Sequence, residues 1–179
     1  MRHTAKYLIK RYSFYLGGDQ PRVIWIERFR SSCGAFLGLM LVLTIAKYLG
    51  ELGGVDEWLM ASLGASALLV FALPGSPMAQ PWAVIAGNTL SALIGISCFH
   101  LIGESLLAMP VAAALSIMGM FVMRCLHPPA AAVSLIVVLG HIGAYRYAIF
   151  PVTIDSILLV IVGAAYSNLT GKPYPNRPK

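Results

Sequence analysis

Charge is what this sequence has least of. Only 11% of its 179 residues are Asp, Glu, Lys or Arg, less than half the share usual in a soluble domain. Between Trp58 and Gly103 there is none at all. That run is too long for one bilayer crossing of about 20 residues and suits two with a turn between them. Cysteine is scarce too: Cys33, Cys98 and Cys125 all fall in or beside apolar stretches, and an odd number placed there speaks against a disulfide framework. The first 30 residues hold no compact apolar run ending in a small-residue cleavage site, so no secretory signal peptide is expected. No GxSxG, HExxH or phosphate-cradling glycine loop occurs. Paired acids or histidines at one depth are also missing, so the chain is not expected to be an enzyme and no cofactor is implied.

What is present is apolar: 58% of the residues are hydrophobic. They form six segments, roughly 31–50, 58–73, 82–102, 106–123, 128–140 and 153–168. Backbone polar groups in hydrocarbon must be satisfied within the segment, which leaves helices or a closed barrel. Period-2 alternation is absent, so a barrel is not expected. The expected fold is all-α, a polytopic membrane helix bundle of about six transmembrane segments. Residues 1–30 would form a basic, aromatic cytoplasmic or interfacial head, 31–168 the transmembrane domain, and 169–179 a basic cytoplasmic tail. "KYLIKRYSFYL" in the head suits the membrane interface, with Tyr and Phe at headgroup depth and Lys and Arg outward.

The formal charge of +6 could suggest a nucleic-acid partner, but the basic residues flank the apolar spans. With both termini cytoplasmic, eleven of the thirteen Lys and Arg lie inside, Lys47 and Arg146 being the exceptions. This asymmetry favours an even number of crossings in a cell (inner) membrane, with lipid and not nucleic acid as the partner. Asn168 heads an "NLT" sequon that this topology places on the cytoplasmic side, where it is a chance match. Small residues are spaced for helix contact: Gly34 and Gly38, Ala61 and Ala65, and Gly87, Ser91 and Gly95. Compact bundle packing accounts for all three sets, and the same faces permit a homo-oligomer.

Two segments are short. At 1.5 Å per residue, 58–73 reaches roughly 24 Å and 128–140 roughly 20 Å, against a hydrocarbon core about 30 Å thick. Each borders a proline cluster, "PGSPMAQP" (74–81) and "MRCLHPP" (123–129). Proline at the first helical position is tolerated because its missing N–H would have been unpaired. Pro81 and Pro128 or Pro129 therefore start helices, with Ser76 and Gln80 just before one and His127 near the N-cap of the other. Two helix N-termini converging below the headgroups would favour an anion, and Arg124 would add a full positive charge. Interrupted helices of this kind form substrate sites in many transporters. The alternative is structural: the prolines end one helix and start the next at the surface, with His127 an interfacial cap and Arg124 a snorkelling anchor. Asn88, in mid-segment, either bonds across helices or lines the pathway. Asp155 reads as an interfacial residue and Glu104 as a loop acid. Cys98 and His100 fall at the opposite end of the expected topology from Cys125 and His127, so one metal ion could not use both Cys-x-His pairs.

"GASALLVFALPGSPMAQPWAVIAGNTLSALIGI" (64–96) followed by "RCLHPPAAA" (124–132) resembles the HPP family of integral membrane proteins, over about residues 31–167. The resemblance implies a multi-helix membrane protein. Plant plastid and cyanobacterial members are associated with nitrite transport. His127, Pro128 and Pro129 match the name motif; Ser76, Pro77, Gln80 and Pro81 match its partner; Arg124 falls where many members carry arginine. This chain has Trp82 and Ala83 where many members have Arg-Asn, and Ala131 where many have glycine. Motif and resemblance together imply a multi-pass carrier or channel for a small inorganic anion, nitrite first. Backbone N–H groups at Trp82 to Val84 and around Ala130, with Arg124, His127 and Asn88, would form the site. The alternative is a non-transporting membrane scaffold or sensor subunit.

Overall fold

The computed structural model describes residues 23–53, 60 and 62–176. Most of the basic head, the acidic Asp56 and Glu57, and Ala61 lie outside them. Among the described residues there are six α-helices and no strand, in agreement with the expected bundle. The helices are α1 Trp25–Gly53, α2 Leu63–Ala72, α3 Pro81–Ile102, α4 Ala108–Val122, α5 Pro128–Leu139 and α6 Ile154–Leu169. A short 3-10 turn, Pro77–Ala79, precedes α3. A wide π-helical turn, Ala148–Thr153, leads into α6 and kinks at Phe150 (φ −129°, ψ 124°) beside Pro151.

Three helical stretches are long and apolar enough to cross a membrane: Trp25–Gly53, Pro81–Ile102 and Ala148–Leu169. Between them sit three shorter apolar helices. The 10 residues of α2 and the 12 of α5 cover only about 15 and 18 Å, shorter than the sequence segments suggest. The 15 residues of α4 also fall short of a full span, which segment 106–123 did not foreshadow.

Neighbouring elements alternate in direction. At one end, here termed basal, Arg30 meets Thr170, Trp82 meets Met123 and Tyr174 meets Ala79. At the distal end His100 meets Gly143. The buried face of α1 falls on every fourth residue: Arg30, Gly34, Gly38, Val42, Ala46 and Gly50. Its glycines admit the rings of Phe71 and Tyr166; a Cβ on Gly34 would stand 2.9 Å from Phe71. Phe71 and Tyr166 also meet edge to face, with centroids 5.8 Å apart. Gly87 on α3 is equally close to Cys125 and His127, just before α5, and Gly95 to α5 itself. A Cβ at Gly95 would lie 2.9 Å from both Cα and O of Ser134, so the two backbones touch. The interval expected at Ala61 and Ala65 does not serve this way. Ala65 is exposed, and α2 buries Leu63, Ser66, Ala67, Val70 and Phe71.

Candidate functional site

The two proline motifs build one junction. Ser76 caps the 3-10 turn, its Oγ accepting the Met78 N–H at 3.2 Å. Gln80 clasps the turn before it, donating from Nε2 to the carbonyls of Pro74 and Ser76, both at 2.9 Å. Gln80 Oε1 accepts the Asn176 N–H at 2.9 Å. The chain end is thereby strapped across the motif. Tyr174, 1% exposed, donates its hydroxyl to Ala79 O at 2.8 Å. Burial pushes its ionisation upward, so it remains a donor. Asn168 serves the strap, its side chain bonding both N and O of Tyr174.

Pro81 opens α3, whose first N–H in the ladder, that of Val84, bonds Gln80 O at 3.0 Å. The second proline motif meets α3 further along. A Cβ on Gly87 would lie 2.9 Å from Cys125 O and from His127 Cβ. Helix α5 thus starts level with a point six residues, or about 9 Å, past the first residue of α3. Its start is sunken, but it faces the side of α3 and not the tip. Pro128 and Pro129 have no N–H, and the next donor, Ala130 N, already bonds His127 O at 2.9 Å. The donors expected around Ala130 are therefore used within the turn.

His127 is fully buried and spans three elements. Its Nδ1 lies 2.8 Å from Met78 O and its Nε2 2.8 Å from Ser66 Oγ on α2. A carbonyl only accepts, so Nδ1 carries a proton; in the neutral ring Nε2 then accepts the Ser66 hydroxyl. Both ring nitrogens are occupied by the protein. Pro129 is buried and Pro128 is exposed.

Arg124 lies outside this knot. It ends α4 with φ 52°, while Cys125 N reaches back to Met120 O at 2.9 Å. That is the left-handed helix stop usually filled by glycine. Its side chain is exposed and makes no hydrogen bond or ion pair among the described residues. The Trp82 indole donates to Met123 O at 3.1 Å, which holds the first turn of α3 beside this stop.

Asn88 is fully buried one residue past Gly87. Its Nδ2 donates to Ser156 Oγ on α6 at 3.1 Å, a bond across helices. Asp155 is fully buried and not interfacial as its place in the sequence suggested. It accepts the Met60 N–H at 3.2 Å. Ser66, Ser156 and Asp155 were not singled out as site residues, yet with Asn88 and His127 they make a buried polar belt through the bundle. The π-helical turn Ala148–Thr153, kinked at Phe150, leads directly into α6 and Asp155.

The structure therefore brings Ser76, Gln80, Pro81, His127, Pro128 and Pro129 to one junction. It leaves Arg124 at the surface and puts Asn88 in the belt. Residues 20–175 match the HPP transmembrane region. The chain belongs to the HPP family. Two transmembrane proteins of Dictyostelium discoideum are similar: one is 29% identical over 179 residues, the other 31% over 180. Each alignment takes in 94% of this chain, but only 57% of the first relative and 63% of the second. This HPP chain thus spans about three fifths of the length of the curated relatives it matches. No solved structure matches it.

Proposed function

We propose that this HPP-family membrane protein moves a small inorganic anion, nitrite first, and catalyses no reaction. Arg124 carries the reading. An L-residue in left-handed backbone costs on the order of 1 kcal/mol that glycine would not. A residue kept there at such a cost, with an exposed and unpaired guanidinium, is explained by what its side chain does. It stands next to the first turn of α3, whose Trp82 and Ala83 N–H groups precede the helix ladder, so full charge and helix dipole act together on an approaching anion. The short helices and irregular turns, set between long spans, are of the kind that line substrate paths in transporters. In this reading both termini face the cytoplasm across the inner membrane.

The test uses purified protein in liposomes, with nitrite, nitrate and chloride flux compared against empty vesicles. Arg124→Gly relieves the backbone and removes the charge, so flux should fall at least tenfold while Tm holds or rises. Equal flux in wild-type and empty vesicles for all three anions would sink the transport reading. A scaffold reading has its own support: His127 and Gln80 have their polar atoms satisfied within the fold, so the motifs have work to do without any ion. It predicts no flux at all.

A further inference from the structure

The polar belt leaves buried side-chain oxygens without a partner, those of Asn88 and Asp155 among them. Asp155 Oδ2 receives one N–H, from Met60 at 3.2 Å, and Oδ1 has no partner. The Asn88 amide donates to Ser156 Oγ at 3.1 Å, and its Oδ1 also has none. The Ser156 hydroxyl is directed at Met60 Sδ, 3.6 Å away. Asn88, Ser156, Met60 and Asp155 are thus linked by successive contacts that leave two unpaired oxygens, both on fully buried residues. Among the described residues no Lys, Arg or His forms an ion pair with Asp155.

Buried acceptors left unpaired cost about 1–3 kcal/mol each, and an acid inside a membrane protein is expensive and usually functional. Both oxygens are free to accept a proton-bearing donor or to ligate a cation. Carboxylate and amide oxygens are the ligands that hard cations take; here Asp155 stands at the start of α6, just past the kink at Phe150, and Asn88 in the body of α3. In transporters, breaks of this kind at mid-membrane are where coupling ions bind. We infer that Asp155 and Asn88 form a binding site for a monovalent cation, a proton or sodium.

Among the described residues, the helices packed around the site bring no charged side chain to it beyond Asp155 itself. Towards the core α1 presents Val42 and Ala46; its Lys47 and Glu51 are exposed and pair with each other at 3.8 Å. Helix α2 offers Ser62 and Ser66, and α3 offers Ser91 beside Asn88. His127 on α5 is committed to Ser66 and Met78. Arg146 and Tyr147, before α6, have interactions of their own. The site goes beyond the anion reading and does not depend on it, because it is read by binding and not by flux.

The experiment measures purified wild-type protein in nanodiscs in two arms. In the first, choline is replaced by sodium at fixed pH; saturating sodium should raise Tm by roughly 5 °C or more. In the second, infrared spectra are followed with pH in choline, using carbon-13-labelled aspartate; a protonated Asp155 gives a carboxylic acid carbonyl band that titrates away. Either signal supports the site and identifies the ion, and Asp155→Asn should abolish it. Asn88→Leu removes the second acceptor and keeps the acid. It should weaken sodium affinity at least tenfold or shift the acid band, and it carries the test if Asp155→Asn does not fold. A Tm indifferent to sodium, together with no titrating aspartic acid band, overturns the inference. So does an Asn88→Leu variant identical to wild type in both arms.

Discussion

Replacing His127 with alanine should unfold the protein more readily before it affects any transport. The imidazole is fully buried and bonded at 2.8 Å on both sides, to Ser66 Oγ and Met78 O. Its removal orphans the buried Ser66 hydroxyl and the half-buried Met78 carbonyl, at about 1–2 kcal/mol each. The ring-sized void adds about 1–2 kcal/mol more, so the expected loss is roughly 3–6 kcal/mol. For a chain of this size that lowers Tm by on the order of 10 °C. His127→Asn should cost about half as much, because the asparagine amide can take the place of Nδ1–H and keep the bond to Met78 O. Ser66→Ala should cost about 1–2 kcal/mol, and the double variant should show a coupling of about 1 kcal/mol. A thiol-reactive fluorophore reads the transition through the buried Cys98 and Cys125, on a Cys33→Ser background. Strict additivity of Ser66→Ala and His127→Asn, or a His127→Ala variant that melts with wild type, would refute this account of the imidazole.

Two further perturbations test the packing around the junction. Gly95→Ala sets a Cβ 2.9 Å from the Ser134 backbone and should cost about 1–2 kcal/mol net of its gain in helix propensity. Gly64→Ala, with nothing within 4 Å, should stabilise by about 0.5–1 kcal/mol; equal Tm values for the two would contradict the close approach of α3 and α5. Tyr174→Phe leaves the Ala79 carbonyl without its 2.8 Å donor, at about 1–2 kcal/mol. Hydrogen exchange in residues 74–80 should speed up several-fold while α4 is unchanged.

The helices were legible in the sequence because hydropathy and length decide them in a membrane. Five of the six expected segments meet their helices to within two residues at one end at least, as where Pro81 and Pro128 begin α3 and α5, while α1 runs from Trp25 to Gly53, past both ends of the expected 31–50. That Gly87 and Gly95 lie on a packed face of α3 was legible from their spacing, though their partners, the turn before α5 and Ser134 within it, were not. The fate of His127 was not, because its two partners lie 61 and 49 residues away and no local pattern announces them. The burial of Asp155 was not legible either, because its partner Met60 lies 95 residues away. Ser66 and Ser156 were hidden by their size. In a sequence rich in alanine and glycine a serine reads as a spacer, and only burial reveals it as a hydrogen-bonding group.

The brevity of α2 and α5 bears on how the protein is made. Ten and twelve residues bury too little hydrocarbon to partition into the bilayer from the translocon as independent passengers, since stable insertion calls for about 20. Each must enter as the minor arm of a hairpin, α2 with α3 and α5 with α4, and wait for its long partners. A nascent chain that has delivered α5 but not yet α6 holds Asn88 and Met60 without the residues that meet them. Helix α6 is therefore the one that seals the interior, and chains arrested before it should be the ones the cell's membrane proteases remove.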